Sequence, residues 1–140
     1  MNKPPRTIKK EVTAYRQGRK IKRFIHILRC CCGGEGHRVT GAEVYPNRSE
    51  LWLKQFFRCE DCGRYVGCHS SGEPMGHMAD GETRRLRMEA HNLFDPLWKS
   101  GGMSRAAAYD LLRAGTGARH ISWCNAAECR KVIDWLQSQS

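Results

Sequence analysis

Cysteine is the residue that most constrains this sequence, because eight of its 140 residues are cysteines and five of them lie in two short clusters. The first cluster is contiguous, at residues 30–32, and runs into Gly33-Gly34. The second is the C-x-x-C pair Cys59 and Cys62, followed by Gly63. Such spacing suits one metal ion better than disulfides, which a reducing cytosol disfavours. Two glycine-containing turns joined by strand-like sequence predict a zinc ribbon.

Zn²⁺ is the metal that four thiolates favour, in a closed site with no position left for water. The predicted ligands are four cysteines, namely Cys30, Cys32, Cys59 and Cys62. Cys32 is preferred in the first cluster because it directly precedes the glycine pair. A shifted pair that includes Cys31 stays open, as does replacement of a first-cluster cysteine by Cys68 or His69. The remaining alternative is buried free cysteines whose spacing arises by chance.

The net charge of +10 is concentrated at the amino-terminal end of the chain. Residues 1–29 contain ten basic residues and one acid, Glu11, whereas residues 30–140 contain fourteen basic and thirteen acidic residues. Lysine and arginine gain free energy by displacing counterions from a polyanion, so this segment predicts nucleic-acid contact. The predicted contact residues are Lys9, Lys10, Arg16, Arg19, Lys20, Lys22 and Arg23. A solvated tail and an acidic partner protein are the alternatives.

The first half of the chain reads as short β-strands. Residues 1–13 are predicted to be an extended or mobile arm, and β-prone residues predict a strand within residues 15–28. Three further strands are expected at residues 39–45, 51–58 and 64–68, separated by turns. These predictions divide the chain into a basic arm with a first strand (1–29), a zinc ribbon (30–69) and a helical region (70–140).

The pattern changes from period two to period 3.6 after residue 80, which predicts three helices. They are expected at residues 82–94, 104–115 and 125–137, with Ser104 and Asn125 as caps. The predicted fold class is therefore α+β, a small zinc ribbon followed by a three-helix part. The expected helical core is Leu86, Leu93, Phe94, Leu97, Trp98, Leu111, Leu112, Ile133 and Leu136, and Cys129 is expected to pack with it.

Several functional classes are disfavoured. No apolar run approaches the roughly 20 residues of a membrane span and no signal sequence follows Met1, so the protein is expected to be cytoplasmic and without a membrane partner. His91-Asn92 after a C-x-x-C pair gives only a weak HNH-nuclease pattern, because the acidic-His pair is missing. The H-x-E and P-C-x-x-C signatures of zinc deaminases are missing as well. A non-enzymatic protein is expected.

A series of short motifs carries a family resemblance across roughly residues 30–135. They are Tyr65-Val66-Gly67-Cys68-His69, Pro74-Met75-Gly76, Ala79-Asp80, Arg84-Arg85, Ala90-His91, Phe94-Asp95-Pro96-Leu97-Trp98-Lys99, Met103-Ser104-Arg105 and Ala108-Tyr109. In their order and spacing they resemble the zinc-finger-containing family encoded by phages and prophages. Its members carry a C-x-x-C-G first cluster, from which the CCCGG of this chain departs. The cysteine half is similar to the zinc ribbons of bacterial topoisomerase I, which contact single-stranded DNA.

The resemblance implies a mobile-element origin, a zinc site and nucleic-acid contact, in the host cytosol if the gene is phage-encoded. Together with the charge, it predicts a small zinc protein that binds nucleic acid, DNA rather than RNA, without catalysis. The alternative is a phage effector that binds a host protein, such as a polymerase or a defence complex.

Overall fold

The structure, a computed structural model, describes residues 2–139 and has mixed α and β architecture, which confirms the α+β class. The described residues form one antiparallel sheet in the order β1-β2-β3-β4-β5, followed by the longer helices. The strands are β1 (Thr7–Arg16), β2 (Arg19–Arg29), β3 (Glu35–Thr40), β4 (Gln55–Cys59) and β5 (Tyr65–Gly67). The helices are α1 (Gly41–Val44), α2 (Gly81–Phe94), α3 (Pro96–Lys99), α4 (Arg105–Thr116) and α5 (Ala126–Ser138).

The described residues divide into two compact units, residues 5–78 and residues 79–139 together with residues 2–4. The sheet unit is built around a small core of Leu28, Cys30, Phe57, Cys59 and Met78. Two of its five core residues are cysteines, so apolar burial alone gives this unit little stability.

The helical unit has its own core, which includes Phe94, Leu112, Ile121 and Val132. The predicted caps are present: Ser104 accepts a hydrogen bond from the N–H of Ala107, and Asn125 forms a capping box with Glu128. The structure places four helices after residue 80 in the part it describes, since the single-turn α3 follows Asp95-Pro96.

The prediction of the helical core is wrong at two residues. Leu93 and Leu111 are 37% and 46% exposed, whereas their neighbours Phe94 and Leu112 are fully buried. Successive residues of a helix point about 100° apart, so an apolar neighbour of a buried residue falls at the edge of the packed face. Cys129 is buried as expected.

The basic amino-terminal segment differs from the prediction of an extended arm. Asn2 is buried in the helical unit, where its Oδ1 accepts hydrogen bonds from the N–H groups of Arg119 and His120, both at 2.9 Å. Residues 7–29 then form a complete β-hairpin instead of one strand. The turn is made by Gln17 and Gly18, both with positive φ, as a two-residue hairpin loop of type I′ requires.

The strand predicted at residues 39–45 ends at Thr40, where the chain turns into α1. The backbone N–H of Gly41 donates to the carbonyl of Lys54 at 2.8 Å, and a Cβ at Gly41 would overlap the carbonyl of Leu51. This close approach of two backbones redirects the chain. The next strand consequently begins at Gln55 and not at Leu51.

Candidate metal centre

Two turns of similar construction lie at the ends of β2 and β4. In the first, the N–H of Gly33 donates to the carbonyl of Cys30 at 3.0 Å, and in the second the N–H of Gly63 donates to the carbonyl of Cys59 at 3.0 Å. Gly33 and Gly63 have φ of 91° and 81°, which glycine adopts without strain. The pairing of Gly36 with Cys59 across β3 and β4 brings the two turns together.

The sulfur atoms of four cysteines converge between these turns, all within 4.8 Å of one another. They belong to Cys30, Cys32, Cys59 and Cys62. The pairs Cys30–Cys62 and Cys32–Cys59 are separated by 3.5 Å between Sγ atoms, far beyond the length of about 2.05 Å of a disulfide. Four sulfurs at 2.3 Å from a tetrahedral Zn²⁺ would lie about 3.8 Å apart. The cluster therefore has the donor set and the size for this ion.

The two sides of the cluster differ in exposure. Cys30 and Cys59 are buried in the core of the sheet unit, whereas Cys32 and Cys62 are exposed. Burial raises the pKa of the Cys30 thiol, while a hydrogen bond from the backbone N–H of Arg64 lowers the pKa of Cys62 to about 6. The lowered pKa of Cys62 favours its thiolate, the form that binds a metal ion.

The other cysteines lie outside the four-sulfur cluster. Cys31 is exposed between two cluster members, and Cys68 packs against the small apolar core of the sheet unit. Cys124 and Cys129 are buried in the helical unit. His69 lies in the turn after β5, where its N–H donates to the carbonyl of Glu73 at 2.8 Å. The structure thus brings together the four cysteines selected from the sequence.

The seven basic residues predicted to contact nucleic acid all lie on the β1–β2 hairpin, but on two different faces. Lys9, Lys20 and Lys22 share one face with Tyr15 and Phe24, since directly paired residues point to the same side. Lys10, Arg16, Arg19 and Arg23 share the other face with aliphatic residues.

Sequence reasoning missed that this segment is a hairpin. A Gln-Gly pair between two basic, β-prone runs was the available signal, and it is weaker than Asn-Gly or Asp-Gly.

The His91-Asn92 pair of the weak HNH pattern lies on a helix and not in a turn between strands. His91 lies on α2 in the helical unit, where its Nδ1 is 3.2 Å from a carboxylate oxygen of Asp95 one turn later. Arg87, also on α2, donates from Nε and Nη2 to the carbonyl of Cys124 at 3.0 and 2.9 Å. Both contacts lie within the helical unit, and the second joins α2 to the segment before α5.

Four convergent thiols held by two glycine turns at the ends of antiparallel strands define a metal-binding module of the zinc-finger class. The chain belongs to the DUF3268 family, a zinc-finger-containing domain, whose model matches residues 26–139. Comparison with curated proteins and with solved structures gave no significant match. The family and the cysteine cluster together indicate zinc binding. Most of the hairpin lies before the matched residues.

Within the described residues 2–139, no helix is long and apolar enough to cross a bilayer.

Proposed function

We propose that this protein binds nucleic acid without catalysis, through the basic hairpin of β1 and β2, and that one structural Zn²⁺ on Cys30, Cys32, Cys59 and Cys62 holds the base of that hairpin in place. The observation that carries the proposal is a two-stranded hairpin whose cations are largely left without acidic partners.

The hairpin is free of a third strand over most of its length. Ten residue pairs join β1 to β2, from Thr7↔Leu28 to Arg16↔Arg19, but only Leu28 and Arg29 of β2 pair with β3. The unsupported part is roughly 30 Å long at about 3.4 Å per residue. A ribbon of two strands fits the major groove of a duplex or can lie along a single strand.

Its charges are only partly neutralised. Lys10 forms an ion pair with Glu35 at 2.7 Å, and Lys22 is 3.7 Å from Glu11. Across the described chain, no ion pair involves Arg16, Arg19, Lys20 or Arg23.

Arg16 and Arg19 are directly opposed at the tip of the hairpin. Like charges in directly opposed positions destabilise a strand pair, and a phosphate placed between them would relieve the repulsion. The arrangement is therefore best explained by an anionic ligand.

The other face offers aromatic rings beside cations. Tyr15 and Phe24 are 73% and 54% exposed, and Nζ of Lys9 lies 4.5 Å from the centre of the Phe24 ring. Exposed rings next to lysines are the elements that stack nucleic-acid bases and hold the neighbouring phosphates. Both faces of the hairpin thus support the same class of partner.

The zinc site would act by connecting elements. Cys30 directly follows β2, and Cys59 ends β4, so an ion bound to both would join the end of the hairpin strand β2 to β4, on the other side of β3. Four thiolates fill the coordination of a tetrahedral zinc ion, which suits a structural role. Incubation of the protein with plasmid DNA and Mg²⁺ tests the proposal that binding is non-catalytic. Nicking of the plasmid would contradict it.

The origin and location of the protein belong to the same proposal. The resemblance to phage- and prophage-encoded proteins and to topoisomerase zinc ribbons supports a DNA ligand in the host cytosol. The genes next to this one test the origin, since phage structural or replication genes are expected there.

A salt-dependent binding assay tests the nucleic-acid proposal. The variant with Arg16, Arg19 and Arg23 changed to alanine is compared with one in which Arg85, Arg113 and Lys131, exposed on the helices, are changed to alanine. Both variants lose three positive charges. The negative slope of log affinity against log salt should become shallower in the hairpin variant, by about 2 on a single strand and about 3 on a duplex.

The helix variant should change this slope little. If the slope became equally shallow in both variants, only the net charge of the protein would matter for binding. Unchanged affinity in the hairpin variant would favour the alternative of a host-protein partner.

A further inference from the structure

We propose that a cleft beside β4 and β5 holds one unstacked base of a single-stranded nucleic acid, an inference that rests on the proposed nucleic-acid function and narrows its ligand. The cleft lies within the sheet unit and has a volume of about 740 Å³. Pockets of this size accommodate small aromatic ligands. A paired base inside a duplex cannot enter such a cleft, whereas an unstacked base of a single strand can.

The interior of the cleft is apolar and partly open. Tyr45, Leu51 and Phe56 line it together with Leu53 and Met75. Leu53 is 98% exposed and Met75 is 50% exposed. Large apolar side chains exposed around one concave site are typical of a ligand-binding surface.

The aromatic wall is held rigid by its neighbours. The ring centres of Tyr45 and Phe56 are 5.8 Å apart in an edge-to-face arrangement, and the hydroxyls of Tyr45 and Tyr65 are 2.6 Å apart. Nε1 of Trp52 donates to the carbonyl of Tyr45 at 3.2 Å. Because these rings are already fixed, a base can stack on them with little loss of side-chain entropy.

The charged side chains that line the cleft are basic. Arg48 and Lys54 line it beside His69, and none of its described lining residues is aspartate or glutamate. Arg48 bonds the exposed Glu50 at 2.8 Å, and no ion pair involving Lys54 occurs among the described residues. An apolar cleft with a cationic rim matches a base flanked by phosphates.

A polar group that can recognise a base edge is also present. Ser70 lines the cleft, and its hydroxyl offers a donor and an acceptor. This chemistry distinguishes a nucleobase from a purely apolar ligand.

The test compares two fluorescently labelled probes, a ten-residue oligothymidine and a strand of equal length whose sugars carry no bases. Both probes have the same phosphates, so the hairpin cations contact them equally. The wild-type protein should bind the abasic strand at least about fivefold more weakly, the effect of losing one stacked base.

A variant that fills the cleft assigns this difference to the site. A Cβ at Gly67 would lie 3.8 Å from the Phe56 ring and 3.9 Å from Sδ of Met75, both ordinary contacts, so Gly67→Leu extends a side chain into the cleft. It should bind oligothymidine at least about fivefold more weakly than the wild type does, although Tyr15 and Phe24 of the hairpin can still stack on bases. Gly102→Leu in the helical unit is the matched control and should keep the preference for bases.

If Gly67→Leu fails to bind zinc as the wild type does, a variant with Arg48→Ala and Lys54→Ala replaces it. This variant should lose at least about fivefold in affinity for oligothymidine.

Equal binding of both probes by the wild type would overturn the inference, as would a cleft-filled variant that binds oligothymidine as tightly as the wild type does. In either case, loss of binding in the Arg16, Arg19 and Arg23 variant would leave the proposed function intact. Absence of binding to either probe and to a duplex at low salt would contradict the proposed function itself.

Discussion

Gly34 is the residue whose replacement acts most directly on the cysteine cluster. A Cβ at this position would lie 2.8 Å from Sγ of Cys59 and 2.6 Å from Oδ2 of Asp61, closer than atoms of these types pack. The N–H of Gly34 also donates to Sγ of Cys32 at 3.4 Å. The glycine thus allows the first turn to approach a sulfur of the second.

We therefore predict that Gly34→Ala weakens zinc binding by roughly 1–3 kcal/mol, or about 5- to 150-fold, because overpacking displaces a thiol. Competition with a coloured zinc chelator measures the change. Gly67→Ala is the matched control, since its Cβ would make only ordinary contacts. Equal zinc affinity of the two variants would show that the first turn accommodates the added methyl group without displacing a thiol.

At the level of elements, the helices were predictable and the strands were less so. The boundaries of α2, α4 and α5 fall within one residue of the predicted ranges, because Ser104 and Asn125 mark helix starts through local hydrogen bonds. Strand ends depend on contacts far along the chain, such as the approach of Gly41 to the carbonyl of Leu51. A single sequence does not encode such contacts as a local pattern.

The hairpin tip provides a prediction for an element. Gln17 has φ of 51°, in the left-handed region that costs a non-glycine residue about 1 kcal/mol. Gln17→Gly should relieve this strain and slow amide hydrogen exchange in residues 8–27 by up to about fivefold. Gln17→Val should accelerate exchange, since a β-branched side chain disfavours positive φ. The same exchange rate in both variants would mean that the turn does not limit hairpin stability.

For the molecule as a whole, the sheet unit and the helical unit differ in how they are stabilised. Among residues 2–139, the helical core contains eleven buried residues, whereas the sheet core contains five, two of which are cysteines of the four-sulfur cluster. Small modules with so little apolar burial usually depend on a bound metal for their fold. The sequence indicated this dependence through the spacing of its cysteines.

The choice among the contiguous cysteines shows what sequence could and could not provide. Position before a glycine pair favoured Cys32, but nothing local distinguished Cys30 from Cys31. The structure buries Cys30 in the sheet core and leaves Cys31 exposed.

The zinc content of the intact chain, determined by native mass spectrometry on protein purified without chelator, is the most direct test of the proposed metal centre. We expect one zinc ion per chain in the wild type and in Cys31→Ser, and loss of the ion together with unfolding of the sheet unit in Cys59→Ser. A wild-type chain without zinc, or a Cys59→Ser variant that retains the ion with full affinity, would contradict this proposal.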